Sequence, residues 1–260
     1  MWIGIVTLLP ELFENFSSFG VTRRAYEDES SLDCHFFNPR DYTTRNHGQV
    51  DDKPYGGGPG MVMQVEPLEA ALDEACQQSP MTGQTPLIVP TPQGQPLTQA
   101  VVQQLAEQPA LIFLCGRYEG IDERVLERHK AQDAGPVIEV SLGDFVLTGG
   151  ELPTQVMLDA LSRWLPGILG NSESAQLDSF ANGLLEAPVY TRPERLADGR
   201  EVPPVLVSGD HKRIARYRRK QSLARTLARR PEMLLQVPLD ELDRALLLEL
   251  FAEGGPKGPK

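Results

Sequence analysis

The feature that most constrains the fold of this chain is an alternation of short apolar runs with amphipathic stretches, which continues to about residue 165. Four of the apolar runs have the length of a strand: residues 2–9, 86–90, 110–115 and 137–140. Apolar side chains recur at helical spacing in other segments: 12–19, 68–76, 97–107 and 151–164. Strands that alternate with helices are typical of α/β proteins with a largely parallel sheet. We therefore predict an α/β fold for this part of the chain.

The alternation stops near residue 166, and the chain changes character. Residues 166–204 are rich in Gly, Ser, Asn and Pro, and long connections of this kind are usually functional or disordered. Two helical segments follow, at 210–230 and 239–251, with no strand pattern between them. We predict an α/β domain of residues 1–165, a linker of residues 166–204, a small helical C-terminal domain of residues 205–252 and a flexible tail of residues 253–260.

Basic residues are concentrated in one segment of an otherwise acidic protein. The chain has a formal net charge of −11, which taken alone argues against a nucleic-acid partner. Asp210, however, is followed by nine Lys and Arg residues with no further acid. These are Lys212, Arg213, Arg216, Arg218, Arg219, Lys220, Arg225, Arg229 and Arg230. Such a segment is either a contact surface for a polyanion or the solvated face of a helix, and its composition alone leaves both open.

The cysteines and the apolar runs bear on where the protein resides. Cys34, Cys76 and Cys115 form no CxxC pair and no Cys/His cluster with zinc spacing, so the sequence shows no metal site. Three widely spaced thiols are typical of a reducing cytoplasm. The N-terminal apolar run ends at Pro10 after nine residues, and no later apolar run is long enough to cross a bilayer. We expect a soluble cytoplasmic protein with no membrane partner.

Glycine-rich segments supply the candidate ligand site. Three of them follow predicted strands: residues 91–94, 115–120 and 141–150. Ligands of open α/β sheets bind beyond the carboxyl ends of the strands, so three such loops would form one pocket rich in backbone amides and carbonyls. Such groups suit an adenine edge and a ribose, and a nearby acidic side chain suits a cation, so we favour a nucleotide-like ligand. A fourth segment, 51–60, is equally well explained as a tight surface turn.

The common catalytic motifs are absent, but five longer segments form a specific pattern. The chain has no GxSxG, no HExxH and no kinase-type set of Lys and Asp. The five segments are VDDKPYGGGPGM, CGRYEGIDERV, LGDFVLTGGELP, DSFANGLLEAPVYTRPE and SGDHKRIARYRRKQSLARTLARRPE. In this order and spacing they resemble the TrmD family of tRNA (guanine-N1)-methyltransferases, from Met1 to about Leu250.

This resemblance implies a fold and an activity. Members of the family belong to the SPOUT class, whose α/β domain carries a deep trefoil knot, and they are homodimers with active sites built from both subunits. The implied activity is transfer of a methyl group from S-adenosylmethionine to N1 of the guanine at tRNA position 37, immediately 3′ of the anticodon. Magnesium is implied as a further cofactor, although the sequence shows no preformed site for it.

The resemblance also assigns roles to particular residues. Asp178, in the predicted linker, matches the general base that removes the N1 proton, and Arg163 matches the cation that supports negative charge on the guanine O6. The residues that match cofactor contacts are Thr91, Pro92, Gly94, Gly116, Tyr118, Glu119, Gly120, Leu142, Gly143, Asp144, Phe145, Val146, Leu147, Gly149, Gly150 and Pro153. Those that match tRNA contacts are Asp51, Asp52, Lys53, Gly57, Gly58, Gly60, Phe180, His211, Arg213, Arg218 and Arg219.

Other interpretations remain open for the sequence. Arg163 could instead interact with the last carbonyl groups of its helix, and Asp178 could cap a helix that begins at Ser179. The whole chain could be a knotted RNA-binding protein without activity, or a methyltransferase of the same class that acts on another RNA position. Residues 129–136, an insertion relative to some family members, are expected to form a surface loop.

Overall fold

The computed structural model describes residues 1–27, 31–81, 83–168 and 178–255. The chain divides into two compact units, residues 1–170 and 171–260, and each has an apolar core of its own. Within the described ranges, none of the helices combines the length and the apolar character that a membrane crossing needs.

A five-stranded parallel sheet organises the first unit. The strands, in chain order, are β1 (Trp2–Val6), β2 (Asp33–Phe37), β3 (Asp51–Asp52), β4 (Val62–Met63), β5 (Leu87–Pro96), β6 (Ala110–Leu114) and β7 (Val137–Ser141). The sheet has the order β2-β1-β6-β5-β7, while β3 and β4 form a separate antiparallel pair. This arrangement confirms the predicted α/β fold with a parallel sheet.

Helices cover both faces of the sheet. In the first unit they are α1 (Leu12–Ser17), α2 (Gly20–Glu27), α3 (Val65–Gln78), α4 (Gln99–Ala106), α5 (Glu123–Ala131) and α6 (Glu151–Ser162). The second unit has two helices of its own in its described residues, α7 (His211–Arg229) and α8 (Glu241–Ala252). Val6 of β1 packs in one cluster with Leu72 of α3, whereas its neighbour Ile5 packs in a second cluster with Leu158 of α6. Successive strand residues thus point into two cores, which is why β1 and β6 are apolar throughout.

Sequence analysis located four strands of this sheet and missed β2. This strand lies at the edge, and of its sequence DCHFF only Phe37 is buried. Asp33 and His35 lie within it and form an ion pair with 2.9 Å between Oδ1 and Nε2. A half-exposed edge strand lacks the continuous apolar run by which the inner strands were recognised, so the signal that identified its neighbours was not there.

The second unit contains the helices α7 and α8, and both predicted helical segments are helices. Its buried apolar cluster comprises Leu184, Leu223, Leu246 and Leu250. Leu184 belongs to the predicted linker, and the adjacent Leu185 donates its N–H to Thr226 Oγ1 of α7 at 2.9 Å. Part of the linker segment therefore packs on α7, while the boundaries of the predicted domains stay a prediction.

The expected surface loop at 129–136 is wrong for its first residues. Helix α5 continues to Ala131, and His129 within it is 4% exposed. Burial lowers the pKa of His129 because the protonated ring would lose its hydration, while Asp73 opposes the shift and Arg128 adds to it. The ring Nε2 has no hydrogen-bond partner in the described part of the chain.

This lowered pKa predicts how stability responds to acid. Below about pH 6.5 the histidine of the unfolded chain binds a proton that buried His129 resists, so acid favours unfolding. The free energy of unfolding should fall between about pH 7.5 and about pH 5.5, and His129→Leu should reduce that fall. Urea unfolding at both pH values measures the change in the free energy of unfolding. Exposed His47 is the matched control, because His47→Asn should keep the wild-type pH dependence; the same dependence in His129→Leu would contradict the assignment.

Candidate active site

A cavity of about 380 Å³ opens at the carboxyl ends of β6 and β7 and at the point where β5 leaves its ladder with β7. Its walls come mainly from three segments: residues 89–93, 116–121 and 139–150. These strands are neighbours in the sheet and all run parallel, so the segments that follow them meet at one edge. The three glycine-rich segments singled out in the sequence therefore lie together.

The first wall comes from an interruption inside β5. This strand pairs with β7 at residues 87–90 and again at residues 95–96, and the stretch between them leaves the ladder. Pro92, in this stretch, lacks the N–H that a ladder needs, which favours the departure. Where the strand returns, a Cβ on Gly94 would overlap backbone atoms of Glu139 and Val140. Gly94 thus permits the strand pairing that frames the cavity.

The second wall is the loop that follows β6. Tyr118 has a φ of 59°, a left-handed conformation that bulky residues rarely adopt, and its side chain is 46% exposed. Its neighbour Glu119 donates its N–H to Met61 O at 2.9 Å. A Cβ on Gly60 would overlap the Glu119 side chain. The glycine-rich segment 51–60, between β3 and β4, is therefore packed against a residue that lines the cavity.

The third wall follows β7 and is joined to the second through the backbone. Gly150 donates its N–H to Gly116 O at 2.9 Å. A Cβ on Gly150 would lie 2.7 Å from Cys115 Cα and 2.9 Å from Gly116 N, closer than a side chain can come. Glycine at this position is what allows the two loops to touch, and the start of α6 is placed by the same contact.

Acidic side chains outnumber basic ones among the described residues that line the cavity. Glu119, Glu123 and Glu139 line it, whereas Arg117 is the single cation among its described lining residues. Arg117 is itself paired with a buried acid, since its Nε lies 2.8 Å from Oε2 of Glu151. Glu139 also faces a lysine, Lys130, at 3.8 Å. The balance is acidic, which favours a ligand that carries positive charge.

Nearly all residues that the sequence assigned to the cofactor line this cavity. The exceptions are Gly94 and Asp144. Among the charged lining residues, the sequence analysis missed Arg117, Glu123 and Glu139. The first two lie inside the segment CGRYEGIDERV, which was the available signal, whereas Glu139 belongs to β7 and no motif marked it. Lining a cavity does not establish contact with a cofactor, and these assignments stay predictions.

Comparison with known proteins decides the family. The family model described as tRNA (Guanine-1)-methyltransferase TrmD matches residues 1–236. A tRNA (guanine-N(1)-)-methyltransferase of Aliivibrio fischeri (strain MJ11) is 51% identical over 253 residues, which cover 97% of this chain and 98% of the relative. The same name and the same values hold for a relative from Vibrio cholerae serotype O1. A relative so named from Chromohalobacter salexigens is 51% identical over 257 residues, 97% of this chain and 93% of its own. The chain belongs to the TrmD family.

The two residues that match the catalytic positions of the TrmD family lie in different units of the chain. Arg163 is the residue at which α6 ends, and its side chain is half-buried. Asp178 lies in a turn in which Ala181 donates its N–H to Asp178 O at 3.3 Å. Ser179 belongs to this turn, so the alternative in which Asp178 caps a helix finds no helix in the residues described after it.

The residues that match tRNA contacts fall into three places. The first is the segment between β3 and β4, where Asp52 is held by the N–H of Lys53 and by an ion pair with Arg45 at 2.9 Å. These two interactions keep the pKa of Asp52 below its usual range. The second is Phe180, whose φ of 74° is left-handed and whose side chain is 46% exposed. The third is helix α7.

Several cations of α7 already have acidic partners on α8 or directly after it. Arg219 makes two hydrogen bonds of 2.7 Å to the carboxylate of Asp243, which is 1% exposed, and this contact lowers the pKa of Asp243. Lys220 lies 2.7 Å from a carboxylate oxygen of Glu253. Arg216 pairs with Glu249. Of the cations matched to tRNA contacts, Arg219 thus has a role in holding α7 to α8, which the sequence did not reveal.

The close packing at Gly94 yields a test. Gly94→Ala should lower the free energy of unfolding by about 1–3 kcal/mol, because the new Cβ would overlap the backbone of β7. Gly116→Ala is the matched control, since its Cβ would meet the Ile121 side chain at 3.3 Å, and that side chain can move. Urea unfolding of both variants measures the difference. Equal stabilities would contradict the role given to Gly94.

Proposed function

We propose that this chain transfers the methyl group of S-adenosylmethionine to N1 of the guanine at position 37 of tRNA. The proposal is carried by the match to the TrmD family over residues 1–236, together with a cavity walled by the glycine-bearing segments of that family. Relatives that are 51% identical over 97% of the chain are named tRNA (guanine-N(1)-)-methyltransferase. The position beside the anticodon rests on the sequence resemblance.

The cavity suits S-adenosylmethionine in size and chemistry. Its volume of about 380 Å³ is within the range of small-molecule sites. Backbone groups of residues 91–93, 116–120 and 142–150 would hold the adenine edge and the ribose, and Glu119 and Glu123 would balance positive charge. When bound, the cofactor supplies a methyl group on a positively charged sulfur, a good leaving group, so no covalent enzyme intermediate is required.

The residues of the chain would prepare the guanine for the reaction. N1 of guanine carries a proton and is a poor nucleophile until that proton leaves. Asp178 would accept the proton, and Arg163 would stabilise the negative charge that develops on O6. A carboxylate is a weak base for this proton, so the stabilisation of O6 by a guanidinium is what makes its removal feasible.

We also propose that the first unit carries the trefoil knot of the SPOUT class. The support is the path of the segment after β7, which returns to the loop after β6, where Gly150 donates to Gly116, before α6 packs on the sheet. Knots are rare, and general rules of chain topology would not predict one. The proposal therefore depends on membership of the family.

A homodimer belongs to the same proposal. Leu152 and Val156 lie one turn apart on α6 and are 53% and 50% exposed. Leu12 of α1 is exposed as well. Exposed apolar residues on one helix face favour an interaction surface. A second copy of the chain would cover this face, and each active site would use residues of both subunits.

The magnesium cofactor and the cytoplasmic location are two further proposals. The proposal of magnesium rests on the family resemblance alone, and in the residues that the structure describes no group of three His, Cys, Asp or Glu side chains could hold a metal ion. The cysteines are free thiols, which suits a reducing cytoplasm.

The second unit is proposed to bind the anticodon arm of tRNA. On α7, Arg218 and Arg225 are seven residues apart and share a helix face, and neither forms an ion pair with an acid of the described chain. His211 and Arg213 lie exposed at the start of the same helix. Such cations would contact phosphates, which positions the tRNA, while the base is selected at the catalytic site.

The catalytic assignment is tested by the product. After incubation with tRNA and S-adenosylmethionine, nuclease digestion and mass spectrometry should find 1-methylguanosine at position 37. Asp178→Ala and Arg163→Ala should each lower the rate of methyl transfer at least about a hundredfold, because each removes an interaction of the transition state. Calorimetry should show nearly unchanged cofactor affinity in both.

Other outcomes separate the competing functions. A methyl group at another position would displace the proposed substrate, and absence of cofactor binding would favour an RNA-binding protein without activity. Full activity of Asp178→Ala would refute the general base. Mixing the two inactive variants should restore part of the activity if they serve one site from opposite subunits, and no rescue would count against shared sites.

The contact with phosphates predicts a response to salt. Arg218→Gln should weaken tRNA binding and reduce the slope of log affinity against log salt by about 1, as expected for one lost phosphate contact. Arg216→Gln is the control, since its charge is already offset by Glu249, and its effect should be smaller. Fluorescence anisotropy at several salt concentrations measures both. An unchanged slope for Arg218→Gln would return α7 to the interpretation as a solvated face.

A further inference from the structure

A buried carboxylate lies directly behind the cavity wall. The side chain of Glu151, in the first turn of α6, is 1% exposed. One of its oxygens, Oε1, accepts a hydrogen bond from Thr7 Oγ1 at 2.9 Å. The other, Oε2, lies 2.8 Å from Nε of Arg117. Glu151 does not itself line the cavity, whereas Arg117 does.

Besides this ion pair, Arg117 donates a hydrogen bond from Nη1 to Thr148 O of the third wall at 3.5 Å. Its side chain is 21% exposed, and it is the single cation among the cavity's described lining residues. A Cβ on Gly149 would lie 2.5 Å from Arg117 Nε and 2.7 Å from Glu151 Oε2. The glycine leaves room for the guanidinium and the carboxylate to lie against the third wall. The pair therefore lies between the second and the third wall of the cavity.

The placement of this pair has an electrostatic consequence. The cofactor of the proposed function carries a positive sulfur, and a bare guanidinium at the wall would repel it. A carboxylate at 2.8 Å cancels most of the field of Arg117. A buried ion that has lost its partner is costly and acts strongly on neighbouring charges, because little water screens it.

We propose that Glu151 is a positioning residue that neutralises Arg117, so that the cavity accepts a sulfonium ligand. The inference rests on the proposed function. A merely structural Glu151, which tied β1 and the loop after β6 to α6 through Thr7 and Arg117, would affect every ligand of the cavity alike. Charge compensation instead discriminates between ligands that differ in charge.

The test compares two ligands of the same shape. S-adenosylhomocysteine lacks the methyl group of S-adenosylmethionine and the positive charge on sulfur. Glu151→Gln keeps an acceptor for Thr7 and removes the negative charge. Titration calorimetry of the full-length protein should show at least about tenfold weaker binding of S-adenosylmethionine, with a clearly smaller loss for S-adenosylhomocysteine. An equal loss for the two ligands, or none, would overturn the inference.

A second variant removes the cation of the pair instead of the anion. Arg117→Gln removes the guanidinium, so the preference for the charged ligand over the neutral one should not fall below the wild-type value. In the double variant, the guanidinium that Glu151→Gln would leave uncompensated has been removed. Adding Glu151→Gln to Arg117→Gln should therefore no longer lower that preference. A preference that falls in Arg117→Gln, or falls equally in the double variant, would contradict the mechanism. If Glu151→Gln alone does not fold, Arg117→Gln and the double variant still test the mechanism, because a preference that falls in either of them would contradict it.

A matched control excludes a general effect of losing a buried ion pair. Asp243→Asn removes a carboxylate that is 1% exposed and bonded to Arg219, but in the second unit. It should lower the unfolding temperature and leave the affinity for both ligands as in the wild type. Failure of the wild-type protein to bind S-adenosylmethionine would instead refute the proposed function, which is a different result from equal losses in Glu151→Gln.

Discussion

Close approach of backbone to backbone is the constraint on which the cavity depends. At Gly94 and Gly150 no side chain fits, because β7 or the loop after β6 occupies the space where a Cβ would lie. The strands β5, β6 and β7 are neighbours, so the contacts that close the edge of the sheet also bring three loops to one ligand. Fold and site are made by the same interactions, and a change that loosens one would loosen the other.

Charge is organised on two levels in this protein. The chain has a net charge of −11, yet α7 concentrates cations on a single helix. Part of that charge is consumed internally, since Arg219 is bonded to the buried Asp243. Removing such a carboxylate would strand a cation, so this pair serves the packing of the second unit. Only the remaining cations can attract a polyanion, which a count of basic residues overestimates.

Much of the fold could be predicted from the sequence, because the inner strands are buried on both faces and therefore read as apolar runs. The edge strand β2 could not, since it buries little beyond Phe37. In the site, glycine-bearing segments predicted where the cavity would form. The partnership of Arg117 with Glu151 could not be predicted, because 34 positions separate them and only the fold brings their side chains to 2.8 Å. Sequence patterns report local geometry well and long-range pairing poorly.

At two residues of this protein, tertiary contacts hold the backbone in a conformation that the residue itself disfavours. Tyr118 and Phe180 adopt left-handed φ values of 59° and 74°, where glycine would cost less. Strained residues persist only where the surroundings hold them. Phe180 donates its N–H to Leu184 O at 2.8 Å, and the loop of Tyr118 is closed by a bond from Gly120 N–H to Arg117 O at 3.2 Å. Both aromatic side chains are about half exposed, so backbone contacts, and not burial of the rings, hold these two conformations.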